Sequence, residues 1–118
     1  MDTLLVDEVT QRGLERGLAL LTPLERDVFV INNLDLYYEM EGGFEDHIPN
    51  APEEFDWLED TLARIGDLPS LRLIRTLRKM TNAPFDQTDP LYERYAERRD
   101  VRWELLTNYF RKRGVALE

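Results

Sequence analysis

Apolar residues recur at helical spacing along nearly the whole chain. Leu24, Val28, Ile31, Leu34 and Tyr38 fall three to four residues apart, and Phe29, Val30, Leu36, Tyr37 and Met40 widen that stripe. A helix apolar over so much of its girth belongs at the centre of a fold. Its start is well marked: Thr22 is a good N-cap, Pro23 suits the first helical position, and Glu25 completes a capping box. Its polar strip is Glu25, Asn32, Asn33, Asp35 and Glu39, and Gly42 or Gly43 is expected to end it.

The same reading predicts four further helices. The first spans Thr3 to Leu21, with Leu5, Val9, Leu14 and Leu18 on its apolar side. Gly13 and Gly17 share a face of it, each costing up to about 1 kcal/mol against Ala. They mark either a close approach of another backbone or a break in the helix. The third helix begins near Pro52, capped by Asn50 or Ala51 with Glu53 and Glu54 in its first turn, and stops at Gly66. Phe55, Leu58, Leu62 and Ile65 set its inner face. The fourth covers about Leu68 to Met80, capped by Asp67, with Leu71, Ile74 and Leu77 inward. After a loop from Thr81 to Asp89, Asp89-Pro90 opens a long fifth helix reaching Arg113, closed by Gly114. Tyr92, Tyr95, Trp103, Leu106 and Phe110 trace its apolar side. Between the second and third helices, Phe44 to Pro52 forms a compact loop with one helical turn at Phe44–His47 and Phe44 pinning it to the core. The expectation is an all-α single domain over residues 1–118, a bundle of about five helices with a Gly-Gly-Phe loop after the second.

Charge changes this picture more than composition does. The chain of 118 residues carries a net charge of −9, which argues against nucleic acid or anionic membranes as direct partners. Residues 1–60 hold 16 acids and 3 arginines; residues 61–118 hold 8 acids and 12 Lys or Arg. From Asp27 to Ala63 no Lys or Arg occurs. Two readings stand open: the halves neutralise each other within one fold, or the acids form a solvated surface. No apolar run approaches the ~20 residues of a membrane span. The N-terminal stretch has no basic segment of the kind a secretory leader uses. Cysteine is absent. These features fit a cytoplasmic address.

Catalytic chemistry finds little footing. Without Cys, and with Ser70 the only serine and His47 the only histidine, a nucleophile–base arrangement has few members to draw on. Glu45, Asp46 and His47 are consecutive and cannot all face one ion without a tight turn. No metal site, cofactor or catalytic residue is assigned. The competing enzyme reading, a small hydrolase or metal-binding protein, would use His47 and the carboxylates of the Glu39–His47 loop.

The acids themselves are the informative feature. Asp35/Glu39 and Asp56/Asp60 are like charges at i,i+4, each pair costing an isolated helix about 0.2–0.5 kcal/mol. Glu41, Glu45 and Asp46 crowd the loop between those helices. One acid per turn, about 5.4 Å, is too dilute to imitate a duplex with one charge per ~1.7 Å. Two helices side by side, or two copies in a homodimer, come closer. The expected contact set for a basic protein partner is Asp35, Glu39, Glu41, Glu45, Asp46, Glu53, Asp56 and Asp60.

The segments YYEMEGGFEDHIPN and LARIGDLPSLRLI resemble a family of small bacterial domains of unknown function that includes a DNA-mimic protein. Gly42, Gly43, Phe44 and Asn50 match one part of its pattern, and Leu62, Ile65 and Gly66 another; Glu41 stands where the family carries Asn. The resemblance implies an all-helical fold, self-association, and for some members occupation of a transcription factor's DNA site. It would make Gly42, Gly43, Phe44 and Asn50 fold-defining. Within the interaction class, an immunity or antitoxin-like inhibitor of a basic nuclease is the alternative. A purely structural subunit, dimerising through the last helix or the Gly13/Gly17 face, is the other.

Overall fold

The computed structural model describes residues 2–80 and 82–118. It is mostly helical, with seven helices among the described residues. In chain order these are α1 (Val6–Arg16), α2 (Pro23–Glu41), α3 (His47–Asn50), α4 (Pro52–Ile65), α5 (Leu68–Lys79), α6 (Phe85–Glu97) and α7 (Arg99–Arg111). Two short strands, β1 (Asp2–Leu4) and β2 (Val115–Leu117), pair in parallel with Asp2 opposite Val115 and Leu4 opposite Leu117.

α2 is the centre. Val28, Val30, Ile31 and Leu34 have no exposure, and α1, α4, α6 and α7 all pack against it. Its capping box forms as the sequence reads: Thr22 Oγ1 accepts from the Glu25 backbone N–H, and the Thr22 N–H donates to Glu25 Oε1 at 2.9 Å. Gly42 closes it with φ +74°. The polar strip, Glu39 excepted, does not face water. Asn32, Asn33 and Asp35 are buried, so each takes a side-chain partner, as polar groups withdrawn from solvent must.

Several expected boundaries move. The first helix does not start at Thr3, because residues 2–4 join Val115–Leu117, a pairing no local pattern reveals. It breaks at Gly17 (φ +90°), followed by one short 3₁₀ turn at Leu18–Leu20. Leu5 and Leu14, expected to face inward, are 41% and 57% exposed. Gly13 marks a close approach of a side chain and not of a backbone: a Cβ there would lie 2.3 Å from the Phe29 ring of α2. The expected turn at Phe44–His47 forms, with the His47 and Ile48 N–H groups donating to the Phe44 carbonyl at 3.0 and 3.2 Å, and it leads into α3 over His47–Asn50. The long fifth helix divides at Arg98 into α6 and α7. Asp89-Pro90 does not open it; Pro90 lies inside α6, which begins at Phe85 and shortens the expected loop. Thr81, the first residue of that loop, lies outside the described residues.

Phe44 sits in an aromatic cluster at 1% exposure, 4.8 Å from the Tyr92 ring in a T-shaped contact and 5.9 Å from Phe55. A side chain at Gly43 would press on Tyr92 at 3.2 Å. Asn50 is exposed and donates to the Asp46 carbonyl at 2.8 Å. The chain between α2 and α4 is thereby fastened over α6, which places the acidic loop beside the outer face of α2.

Candidate functional site: an acidic groove around Tyr37

The arginines of the second half fold back over much of the first. Asp35, buried at 4% exposure, accepts from Arg102 Nη2 at 3.0 Å and from Trp103 Nε1 at 2.7 Å. Arg99 pairs with Glu39. Arg78 spans Asp56 and Glu59, and Arg75 reaches Glu59 at 2.8 Å. Arg64 grips both oxygens of the buried Asp27 at 2.8 and 2.9 Å. That hydrogen bonding raises the Arg64 pKa, against the opposing effect of its partial burial. Burial likewise works against the Arg78 charge but is outweighed by Asp56 and Glu59.

The eight expected contact acids therefore do not make one continuous surface. Asp35 has no free face, and Glu39 and Asp56 are compensated in place. The reason is tertiary: α7 lies along α2 and α5 along α4, which brings the basic half of the sequence onto the acidic half. The exposed pairs themselves contribute about 0–1 kcal/mol each; their effect is on the field.

Glu41, Glu45, Asp46 and Glu53 have no Lys or Arg partner among the described residues, and all four line one system of grooves. Three concavities meet at Tyr37. One, of about 460 Å³, lies between the end of α1 and the start of α4, walled by Gly13, Leu14, Gly17, His47, Glu53 and Glu54. A second, about 250 Å³, follows α2 past Leu14, Leu36, Tyr37, Met40 and Glu41. The third, about 260 Å³, holds Glu41, Glu45, Asp46 and His47. The glycines leave the first one open: nothing lies within 4 Å of where a Gly17 side chain would stand. Five carboxylates line the system, and not one Lys or Arg does. Asp60 lies apart, with Asp56, Glu53 and Trp57 in a separate cleft of about 300 Å³ that Arg26 also lines.

His47 is the polar fixture of this groove. Its Nε2 is 2.8 Å from Glu54 Oε2, and Asn33 Nδ2 donates to Glu54 Oε1 at 2.7 Å. Tyr37 stacks on the imidazole with ring centroids 4.3 Å apart. A carboxylate that orients an imidazole is half of a nucleophile-activating relay. The other half is missing here, since Ser70 is fully buried on α5 beside Asp67 and Arg102. Sequence reasoning missed Glu54, reading it only as a first-turn acid; its spacing of seven from His47 was the available signal. Beneath the loop, burial raises the Tyr92 hydroxyl well above its ordinary value, and the negative charge of Glu45 raises it further. Among the described residues no three His, Asp or Glu side chains converge to hold a metal ion, and no helix is long and apolar enough to cross a membrane.

No family model, no curated protein and no solved structure matches this chain.

Proposed function

We propose that this protein is an acidic interaction module that binds a basic protein surface through the groove around Tyr37. One observation carries the reading: five carboxylates line that groove without a Lys or Arg among them, while six arginines of the second half are engaged with acids elsewhere. A cationic side chain entering there would meet unscreened negative charge over a partly apolar floor, so association would be fast and salt-dependent. The DNA-binding face of a transcription regulator and the active face of a basic nuclease both offer such chemistry. A DNA-mimic role draws less support than the sequence suggests, because Asp35, Glu39 and Asp56 no longer contribute to an unbroken row of charge.

The test is capture from a cell extract eluted in steps of salt, run beside a Glu41→Lys/Glu53→Lys variant of unchanged thermal stability. The reading expects a basic protein released by salt and lost from the variant. Release of that protein by duplex DNA would identify a DNA site as the surface covered. Equal capture by both proteins would overturn the reading. A second reading, a small enzyme built on His47, is favoured by the Asn33–Glu54–His47 alignment alone.

A further inference from the structure

We infer that the element this groove receives is a cationic amphipathic α-helix lying alongside α2; the inference rests on the interaction reading above. Asn33, Leu36, Tyr37 and Met40 follow one another at i, i+3, i+4 and i+7 and form a single stripe along α2, from the buried Asn33 through the half-buried Leu36 and Tyr37 to the exposed Met40. Met40 is 79% exposed, and Leu14, on the facing wall, is 57% exposed. Large apolar side chains in that state on either side of a trough are a docking floor for another apolar stripe. The stripe runs over eight residues, about 10 Å of helix axis, so it matches roughly two turns of a visiting helix. Met40 is unbranched and adaptable, which suits a floor that must fit a foreign ridge.

The walls decide the visitor's form. They are helices and loops: among the described residues neither β1 nor β2 contributes to the lining, so no strand edge runs along the groove. An extended peptide would find no backbone to continue, whereas a helix can seat its ridge between Leu14 and the α2 stripe. The rim decides its charge. Glu41 and Asp46 stand towards one end and Glu53 and Glu54 towards the other. A helix with leucine-like residues inward and Lys or Arg flanking them satisfies both. A second copy of this chain is the poorer occupant, because it brings a net charge of −9 to a face of the same sign.

The test uses two synthetic peptides of identical composition, leucine and lysine only. One has leucines at i, i+3, i+4 and i+7; the other has them scattered. Affinities for the intact protein are measured by fluorescence anisotropy, with thermal melts confirming that every variant folds. The patterned peptide is expected to bind about tenfold more tightly. A Leu14→Gln/Met40→Gln variant should erase that advantage and leave the salt-dependent binding of both peptides in place. Equal affinities for the two peptides, or an advantage that survives the double variant, would overturn the helix inference while leaving the acidic-module reading standing. Failure of both peptides to bind, with no response to Glu41→Lys, would overturn both. Concentration-dependent self-association abolished by Leu14→Gln would show a second copy as the occupant instead.

Discussion

Asp35 and Arg102, 67 residues apart in sequence, meet at 3.0 Å in a place where neither side chain keeps more than 4% exposure. The guanidinium also lies 3.7 Å from the centre of the Tyr95 ring and donates to the Tyr95 carbonyl at 2.8 Å. An acid that sequence places in a contact surface is thus an anchor of the core.

Arg102→Met is expected to cost about 3–5 kcal/mol, because it removes the buried charge opposite Asp35 and leaves that carboxylate only Trp103 Nε1 and the more distant Arg99 at 3.6 Å. Adding Asp35→Leu to that variant should recover part of the loss, since the buried charge goes with it while Trp103 Nε1 loses its acceptor. Urea denaturation of the single and double variants measures both. A single variant as stable as the parent would contradict the buried pair.

Gly13→Ala and Gly17→Ala should differ in kind. At Gly13 the added methyl meets the Phe29 ring at 2.3 Å, and such overpacking costs about 1–3 kcal/mol. Phe29→Leu in the Gly13→Ala background should relieve part of it. At Gly17 there is open space but φ is +90°, so the penalty is backbone strain alone, and trimming Phe29 should not relieve it. Thermal melts of the four combinations separate the two causes.

Glu25 supplies a pH test. Burial pushes its carboxyl up, but the Thr22 backbone N–H and the Arg12 guanidinium outweigh that and hold it below its ordinary 4.5. A folded value lower than the unfolded one gives stability that is complete above about pH 4.5 and is lost as pH falls through the folded value. The stability gap between the parent and Glu25→Gln should therefore be widest near neutrality and close in acid. Denaturation midpoints of the two proteins across that range check it. A gap that does not vary with pH would remove the ionic part of this capping box.

Charge at the groove and charge in the core should separate in a binding assay. Glu53→Lys is expected to weaken the patterned peptide several-fold and flatten its salt dependence, with little change in melting temperature. Asp35→Asn should do the reverse, lowering stability and leaving peptide affinity intact in the folded protein. Titrations at two salt concentrations distinguish these outcomes.

Where neighbouring residues set the conformation, the sequence could be read directly. Thr22, Pro23 and Glu25 fix the start of α2 among themselves, Gly42 and Gly66 end their helices in the left-handed conformation, and Asp67 caps α5. The inner face of α4 is likewise plain from the spacing of Phe55, Leu58, Leu62 and Ile65. Pro90 misled because a proline suits a helix start better than a helix interior, yet α6 runs through it. The strand at residues 2–4 was invisible because its partner lies at the other end of the chain.

The sequence by itself determined a helical chain with a central apolar helix and an excess of acid in its first half, since periodicity and capping act within a turn or two. Only the tertiary structure decided which acids stay free. An arginine and a carboxylate dozens of residues apart meet only after the helices have packed, and the same packing that buried Asp35 against Arg102 left Glu41, Glu45, Asp46 and Glu53 around Tyr37 without a Lys or Arg ion-pair partner among the described residues.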